Sequence, residues 1–163
     1  MTSTFSSEPA QARRFRPRLP LAAVVGLAAA GLVIVGSAVG PWANVAGELH
    51  VGGEIERFQI HGMVGDGVFT LSLSAVAALL ILWRILRGRA SGFLTGLAVV
   101  LLLIAAVIGM LNWADIDHMP GVYVPAKHFH SDARAAWGLL TTTFGAAAGA
   151  VAMAFQVWND ELR

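Results

Sequence analysis

The 163-residue chain contains no cysteine. Disulfide bonds, thiolate metal sites and thiol redox chemistry are therefore all excluded. Charged side chains are scarce as well, at 13% of the residues, where a soluble domain has about 25%. The sequence shows no Ser-His-Asp spacing, phosphate-binding loop, zincin motif or credible pair of catalytic carboxylates. A non-catalytic protein is therefore expected, and a metal-dependent membrane enzyme stays open only through an outer metal site that no motif marks.

What the chain has in abundance is uncharged apolar sequence, since 56% of its residues are hydrophobic. Four runs carry no charged residue: 19–47, 67–83, 90–114 and 135–159. About 20 apolar residues cross the roughly 30 Å hydrocarbon core as a helix, which also satisfies its own backbone hydrogen bonds. The sequence therefore predicts an all-α membrane protein, a four-transmembrane-helix bundle with spans at about 20–40, 67–85, 92–113 and 134–157.

Basic residues predict the orientation of the four spans. Three lie on the side of the first and third connections, Arg57, Lys127 and Arg134, and eight lie on the side of the termini and the middle link: Arg13, Arg14, Arg16, Arg18, Arg84, Arg87, Arg89 and Arg163. The positive-inside rule places both termini in the cytoplasm. The tryptophans agree with this layout, because each falls at a predicted helix end: Trp42, Trp83, Trp113, Trp137 and Trp158.

The N-terminal region is predicted to lie outside the helical domain. Residues 1–18 are interpreted as a disordered basic cytoplasmic tail, and 19–160 as the transmembrane domain. A secretory signal is the alternative, but the apolar run is much longer than a signal core of about 7–15 residues. The preference for Arg over Lys, with abundant Ala and Gly, is typical of a GC-rich genome and favours a bacterial plasma membrane.

No ionisable residue lies within the four uncharged runs. Pumps and coupled transporters need such groups in the membrane, and a membrane haem needs axial histidines within its helices. Both functions are therefore disfavoured. Any specific chemistry is expected in the outer segments, 41–66 and 114–133.

The first outer segment is predicted to form a small β-hairpin-like cap. Gly52-Gly53 separates two β-compatible stretches, which is a good hairpin signal. A lone hairpin is marginally stable, so it is expected to rest on the second outer segment or on a partner. Asp66 is interpreted as the N-cap of the second helix.

The second outer segment offers candidate metal ligands. All five histidines lie in the two outer segments, and imidazole and carboxylate groups suit Zn²⁺ or Cu²⁺. The candidate set comprises His118, His128, His130, Asp115 and Asp117. The alternatives are a pH-responsive polar surface and ordinary solvated or hydrogen-bonded histidines.

Small residues in the first and fourth spans predict close helix packing. Gly36 and Gly40 lie four residues apart, as do Gly145 and Gly149. Such spacing lets helix backbones approach closely. The favoured interpretation is packing of helix one on helix four, and the alternative is a docking face for another membrane protein.

The layout of spans, the Pro41-Trp42 start of the first outer segment and the Gly65-Asp66-Gly67 turn resemble small four-helix membrane proteins that recur in actinobacterial genomes. The arrangement is also similar to claudin-like four-helix proteins, although their cysteine pair is missing here. The resemblance implies no catalytic residues. The functional prediction is a non-catalytic accessory or assembly subunit of a cell-envelope complex, the alternative being an extracytoplasmic Zn- or Cu-binding protein. Expected partners are the lipid bilayer and other membrane subunits or a second copy, with no nucleic acid.

Overall fold

The computed structural model describes residues 21–48, 55–87, 92–118 and 130–161. Its helices are α1 (Leu21–Ala38), α2 (Gly67–Arg87), α3 (Gly92–Ala114) and α4 (Trp137–Glu161), and its strands are β1 (Pro41–Glu48), β2 (Ile55–His61) and β3 (His130–Ala135). Two 3₁₀ turns, Gly62–Val64 and Ile116–His118, precede α2 and follow α3. The predicted tail 1–18, the Gly52-Gly53 turn and His128 lie outside the described residues.

Each of the four helices is long and apolar enough to cross a membrane, which confirms the predicted number of apolar helices. They pack in the cyclic order α1, α2, α3, α4, with α4 also against α1. Of these helices α4 has the lowest mean hydropathy and the largest buried share. It is the most buried because its many Ala, Gly and Thr side chains leave little bulk to hold neighbouring helices apart.

The buried residues of each helix follow spacings of three and four. This spacing forms one stripe per helix, as in coiled-coil packing. On α2 the stripe is Gly67, Thr70, Ser74, Ala77, Ile81 and Arg84, and on α3 it includes Thr95, Ala98, Leu102, Ala105, Gly109 and Asn112. Small and aliphatic side chains fill the middle of the bundle, where Ile81, Leu102 and Met153 are almost fully buried. Polar side chains lie towards both ends of the stripes.

A three-stranded antiparallel sheet covers one end of the bundle, which we call the sheet end; the opposite end is the distal end. The strand order is β2-β1-β3, so the predicted hairpin-like cap is a larger sheet that includes a strand from the second outer segment. One face of the sheet is buried against the helices through Trp42, Val45, Ile60 and Ala133. The third strand supplies the support that a two-stranded hairpin would lack.

The chain passes directly from β3 into α4. The Ala136 N–H donates to the Trp42 carbonyl at 2.9 Å, which continues the ladder between β1 and β3 up to the helix. Beneath it, the indole N–H of Trp42 donates to the Gly36 carbonyl at 3.2 Å. The sheet is thus attached to α1 and α4 through backbone groups as well as apolar contacts.

Candidate functional site

The outward face of the sheet carries polar side chains. Alternation along β1 turns Ala43 and Val45 towards the bundle and leaves Asn44 exposed. Asn44 is opposite Gln59 in β2 and Arg134 in β3, and these side chains are exposed as well. Arg57 is exposed two positions before Gln59. We call these four residues the polar sheet face; it presents amide and guanidinium groups.

The structure brings together two members of the predicted metal set. His118 Nδ1 lies 2.7 Å from Asp115 Oδ1, and both side chains are more than 70% exposed. Asp117 is exposed in the 3₁₀ turn Ile116–His118, which contains His118. His130 begins β3, where the backbone register places it opposite Glu48. Within the described ranges, no group of three or more His, Asp or Glu residues could hold a metal ion.

The four predicted packing glycines all lie where α1 meets α4. A Cβ on Gly36 would stand 2.8 Å from the Gly138 carbonyl oxygen, and one on Gly40 would stand 2.5 Å from the Gly138 Cα. Gly145 faces Val33, and Gly149 lies between Ala29 of α1 and Leu102 of α3. These glycines therefore pack inside the bundle, and the contacts leave no room at Gly36 or Gly40 for another protein.

A cluster of hydroxyl groups links three helices near the sheet end. Ser37 Oγ lies 2.8 Å from Thr70 Oγ1 and 3.3 Å from Thr142 Oγ1, and all three residues are fully buried. Thr70 also donates to the Gly67 carbonyl. Hydroxyl groups of this kind bond across helix interfaces in membranes. This cluster positions α1, α2 and α4 beneath the sheet.

Asp66 holds the predicted N-cap position of α2, but its side chain bonds to another helix. Its backbone carbonyl accepts from Phe69 and Thr70 at the start of α2, as an N-cap residue does. Its carboxylate, however, accepts from Asn112 Nδ2 at 2.9 Å. Asn112 also donates to the Ile108 carbonyl. The side chain of Asp66 therefore ties the start of α2 to the end of α3.

The distal end holds a buried ion pair. Arg84 of α2 is 8% exposed; its guanidinium donates to Thr95 Oγ1 of α3 and to Asp160 Oδ2 of α4. Gln156 donates to the other oxygen of Asp160 at 3.1 Å. The sequence places Arg84 with the middle link, outside the uncharged runs. In the structure α2 continues to Arg87 and keeps Arg84 on its buried stripe, so an ionisable group does lie among the packed helices.

Sequence reasoning misses this pair because Arg84 counts with the middle link and Asp160 lies beyond the fourth predicted span, 134–157. The spacing along α2 carried the missing signal, since Arg84 follows Ile81 by three residues on the stripe that includes Ser74 and Ala77. Gly138 was missed too, since it lies outside the Gly-Ala-Ala-Ala-Gly run and is defined only by its contact with Gly40.

Neither a protein family nor a curated protein matches the sequence.

Proposed function

We propose that this chain is a non-catalytic, multi-pass membrane protein of a bacterial plasma membrane that serves as an accessory or assembly subunit of a cell-envelope complex. Both termini are cytoplasmic in this proposal, and the sheet lies outside. The observation that carries it is the polar sheet face, whose residues Asn44, Arg57, Gln59 and Arg134 are exposed on strands anchored to the bundle. A preorganised surface binds a partner with little loss of conformational entropy.

The chemistry of this face favours an acidic or carbonyl-rich protein surface as its partner. Guanidinium groups form forked hydrogen bonds with carboxylates, and Arg is enriched at protein interfaces. Amide side chains such as Asn44 and Gln59 both donate and accept hydrogen bonds. β2 is also an edge strand of the sheet, and an edge strand can pair with a strand of another chain.

Quantitative co-purification of the tagged full chain from its native membrane tests this function. The double variant Arg57→Glu, Gln59→Glu reverses the charge of the polar sheet face without touching the buried face. We expect stoichiometric partner proteins with wild type and a loss of about tenfold or more with the variant, because like charges placed across an interface cost several kcal/mol.

Arg87→Glu is the matched control, because Arg87 is exposed at the distal end and should not change partner recovery. The proposal fails if no protein co-purifies in stoichiometric amount. It also fails if the sheet variant recovers the same partners as wild type.

Extracytoplasmic metal binding is the second candidate function, favoured by the contact between His118 and Asp115. His128 and His130 follow in the second outer segment. If these residues bind Zn²⁺ or Cu²⁺, the double variant His128→Ala, His130→Ala should lose the metal and keep its helices. Binding should weaken as pH falls from 7 to 5, because a ligating imidazole must be neutral.

Elemental analysis after purification without chelator measures the metal directly. His61→Ala is a matched control, since His61 is an exposed histidine of β2 that is not in the candidate set. A metal content that stays well below one ion per chain after Zn²⁺ or Cu²⁺ is added would exclude this second function.

A further inference from the structure

A groove runs between α3 and α4 at the sheet end of the bundle. Its volume is about 400 Å³, and it is lined by Ala106, Met110 and Trp113 from α3 and by Thr143, Phe144 and Ala147 from α4. Ligand pockets generally measure about 300–1,000 Å³. The groove is thus large enough for part of a small amphiphile.

The wall of the groove is apolar. Its one hydroxyl group, on Thr143, donates to the Leu139 carbonyl of its own helix at 2.9 Å. The rings of Trp113 and Phe144 meet edge to face, with their centroids 5.8 Å apart. Water can form few hydrogen bonds with such a wall, whereas a hydrocarbon chain makes favourable apolar contacts with it.

The groove is short and follows the helix axis. From Ala106 to Trp113 it extends about 10 Å along α3, at 1.5 Å per residue. A single extended acyl chain that runs parallel to the helices can lie along it.

Negative charge lies where the groove reaches the end of α3. Ala114 lines the groove, and Asp115 and Asp117 follow it with exposed side chains. An acyl chain in the groove would bring its headgroup to this end. Asp115 also contacts His118, but the two carboxylates outnumber this one imidazole. This end therefore complements a headgroup with an ammonium group and repels one with a net negative charge.

From these observations we propose that the groove between α3 and α4 binds an acyl chain of an aminophospholipid, with the lipid's ammonium group beside Asp115 and Asp117. This inference rests on the proposed membrane location, which cysteine labelling checks separately. It is independent of whether the polar sheet face binds a partner protein.

Photo-crosslinking in nanodiscs tests the site. The full chain is reconstituted with a trace of phosphatidylethanolamine, phosphatidylcholine or phosphatidylglycerol that carries a diazirine in one acyl chain, and labelled residues are located by mass spectrometry. We expect labelling at Met110 and Phe144. The labelling should be about two- to fivefold stronger with phosphatidylethanolamine than with the other two lipids, because an exposed ion pair changes affinity by about that ratio.

Three variants separate the acyl and headgroup contacts. Ala147→Leu and Ala114→Leu fill the groove at its floor and mouth and should remove the labelling of Met110. Val151→Leu, one turn from Ala147 at a position 70% exposed, should leave it unchanged. Asp115→Lys with Asp117→Lys should shift the preference to phosphatidylglycerol.

Equal labelling by all three lipids, with no response to the charge reversal, would overturn the aminophospholipid assignment. Labelling of Met110 that survives both filling variants would overturn the groove as the acyl site. Crosslinks between two copies of the chain at Met110 or Phe144, in place of lipid adducts, would identify a second copy as the occupant and overturn the proposal.

Discussion

Arg84 has the most demanding environment among the described ionisable residues. Its guanidinium is buried and is shared between Thr95 and Asp160, so three helices meet through one side chain. A buried charge is tolerated because its hydrogen bonds are satisfied, and removing one partner leaves an uncompensated charge. The pair therefore joins α2, α3 and α4 at the distal end.

A double-mutant cycle on this pair should show strong coupling. Asp160→Leu leaves the guanidinium without its carboxylate and should lower the free energy of unfolding by about 3 kcal/mol. Arg84→Met should cost less, about 1–2 kcal/mol, because Asp160 is 24% exposed and keeps Gln156. The double variant should recover part of the loss. Denaturant titration in mixed micelles measures all three values.

Arg87→Met is the control for removing a charge near the distal end. Arg87 lies on the exposed ring of Trp83 at 4.2 Å, and an exposed cation–π contact contributes about 0.5–1 kcal/mol. Losses that simply add in the Arg84 and Asp160 double variant would show that the two side chains do not interact in the folded protein.

At the level of elements, close packing of α1 on α4 depends on individual glycines. A methyl group on Gly36 would meet the Gly138 carbonyl and the hydroxyl of Thr142, at 2.8 and 2.9 Å. A backbone carbonyl cannot move away as the end of a flexible side chain can. The two helices must therefore separate if this position carries a side chain.

Gly36→Ala should lower the free energy of unfolding by about 1–3 kcal/mol, the usual cost of overpacking a tight contact. Gly31 of the same helix is the matched control, because a Cβ there meets nothing within 4 Å. Gly31→Ala should be neutral or raise stability by up to about 1 kcal/mol through helix propensity. Equal effects of the two substitutions would contradict the role assigned to Gly36.

Leucine substitutions compare a packed glycine with an open one by means of a larger side chain. Gly149→Leu should disrupt the fold, since Ala29 and Leu102 lie 3.1 Å from the Cβ position. Gly96→Leu on α3 should be tolerated, because open space surrounds that site. Yield and monodispersity in detergent distinguish the two. Wild-type behaviour of Gly149→Leu would mean that this contact with α1 and α3 tolerates a large side chain.

For the whole molecule, the proposed topology places the sheet end outside and the distal end in the cytoplasm. The chain has no cysteine of its own, so a single introduced cysteine reports one position. With an impermeant thiol reagent on intact cells, Gly53→Cys should be labelled and Gly88→Cys should not. After the membrane is opened, both should react. Labelling of position 88 alone on intact cells would reverse the orientation.

Several parts of the fold could be predicted from the sequence because they depend on local properties. The four apolar helices follow from uncharged runs long enough to span a bilayer, and the two strands that flank Gly52-Gly53 follow from a turn signal between β-compatible stretches. The packing glycines were identifiable as well, since spacing of four along a helix is a property of one segment.

The tertiary structure decided which distant segments meet. β3 pairs with β1 although β2, α2 and α3 lie between them along the chain. Arg84 contacts Asp160 at a separation of 76 residues, and Gly40 faces Gly138. Local periodicity states which face of a helix is buried but not which helix covers it. The sequence by itself therefore determined the number of apolar helices. The third strand, the buried ion pair and the groove between α3 and α4 arise only when the bundle closes, because each is built from residues of separate elements.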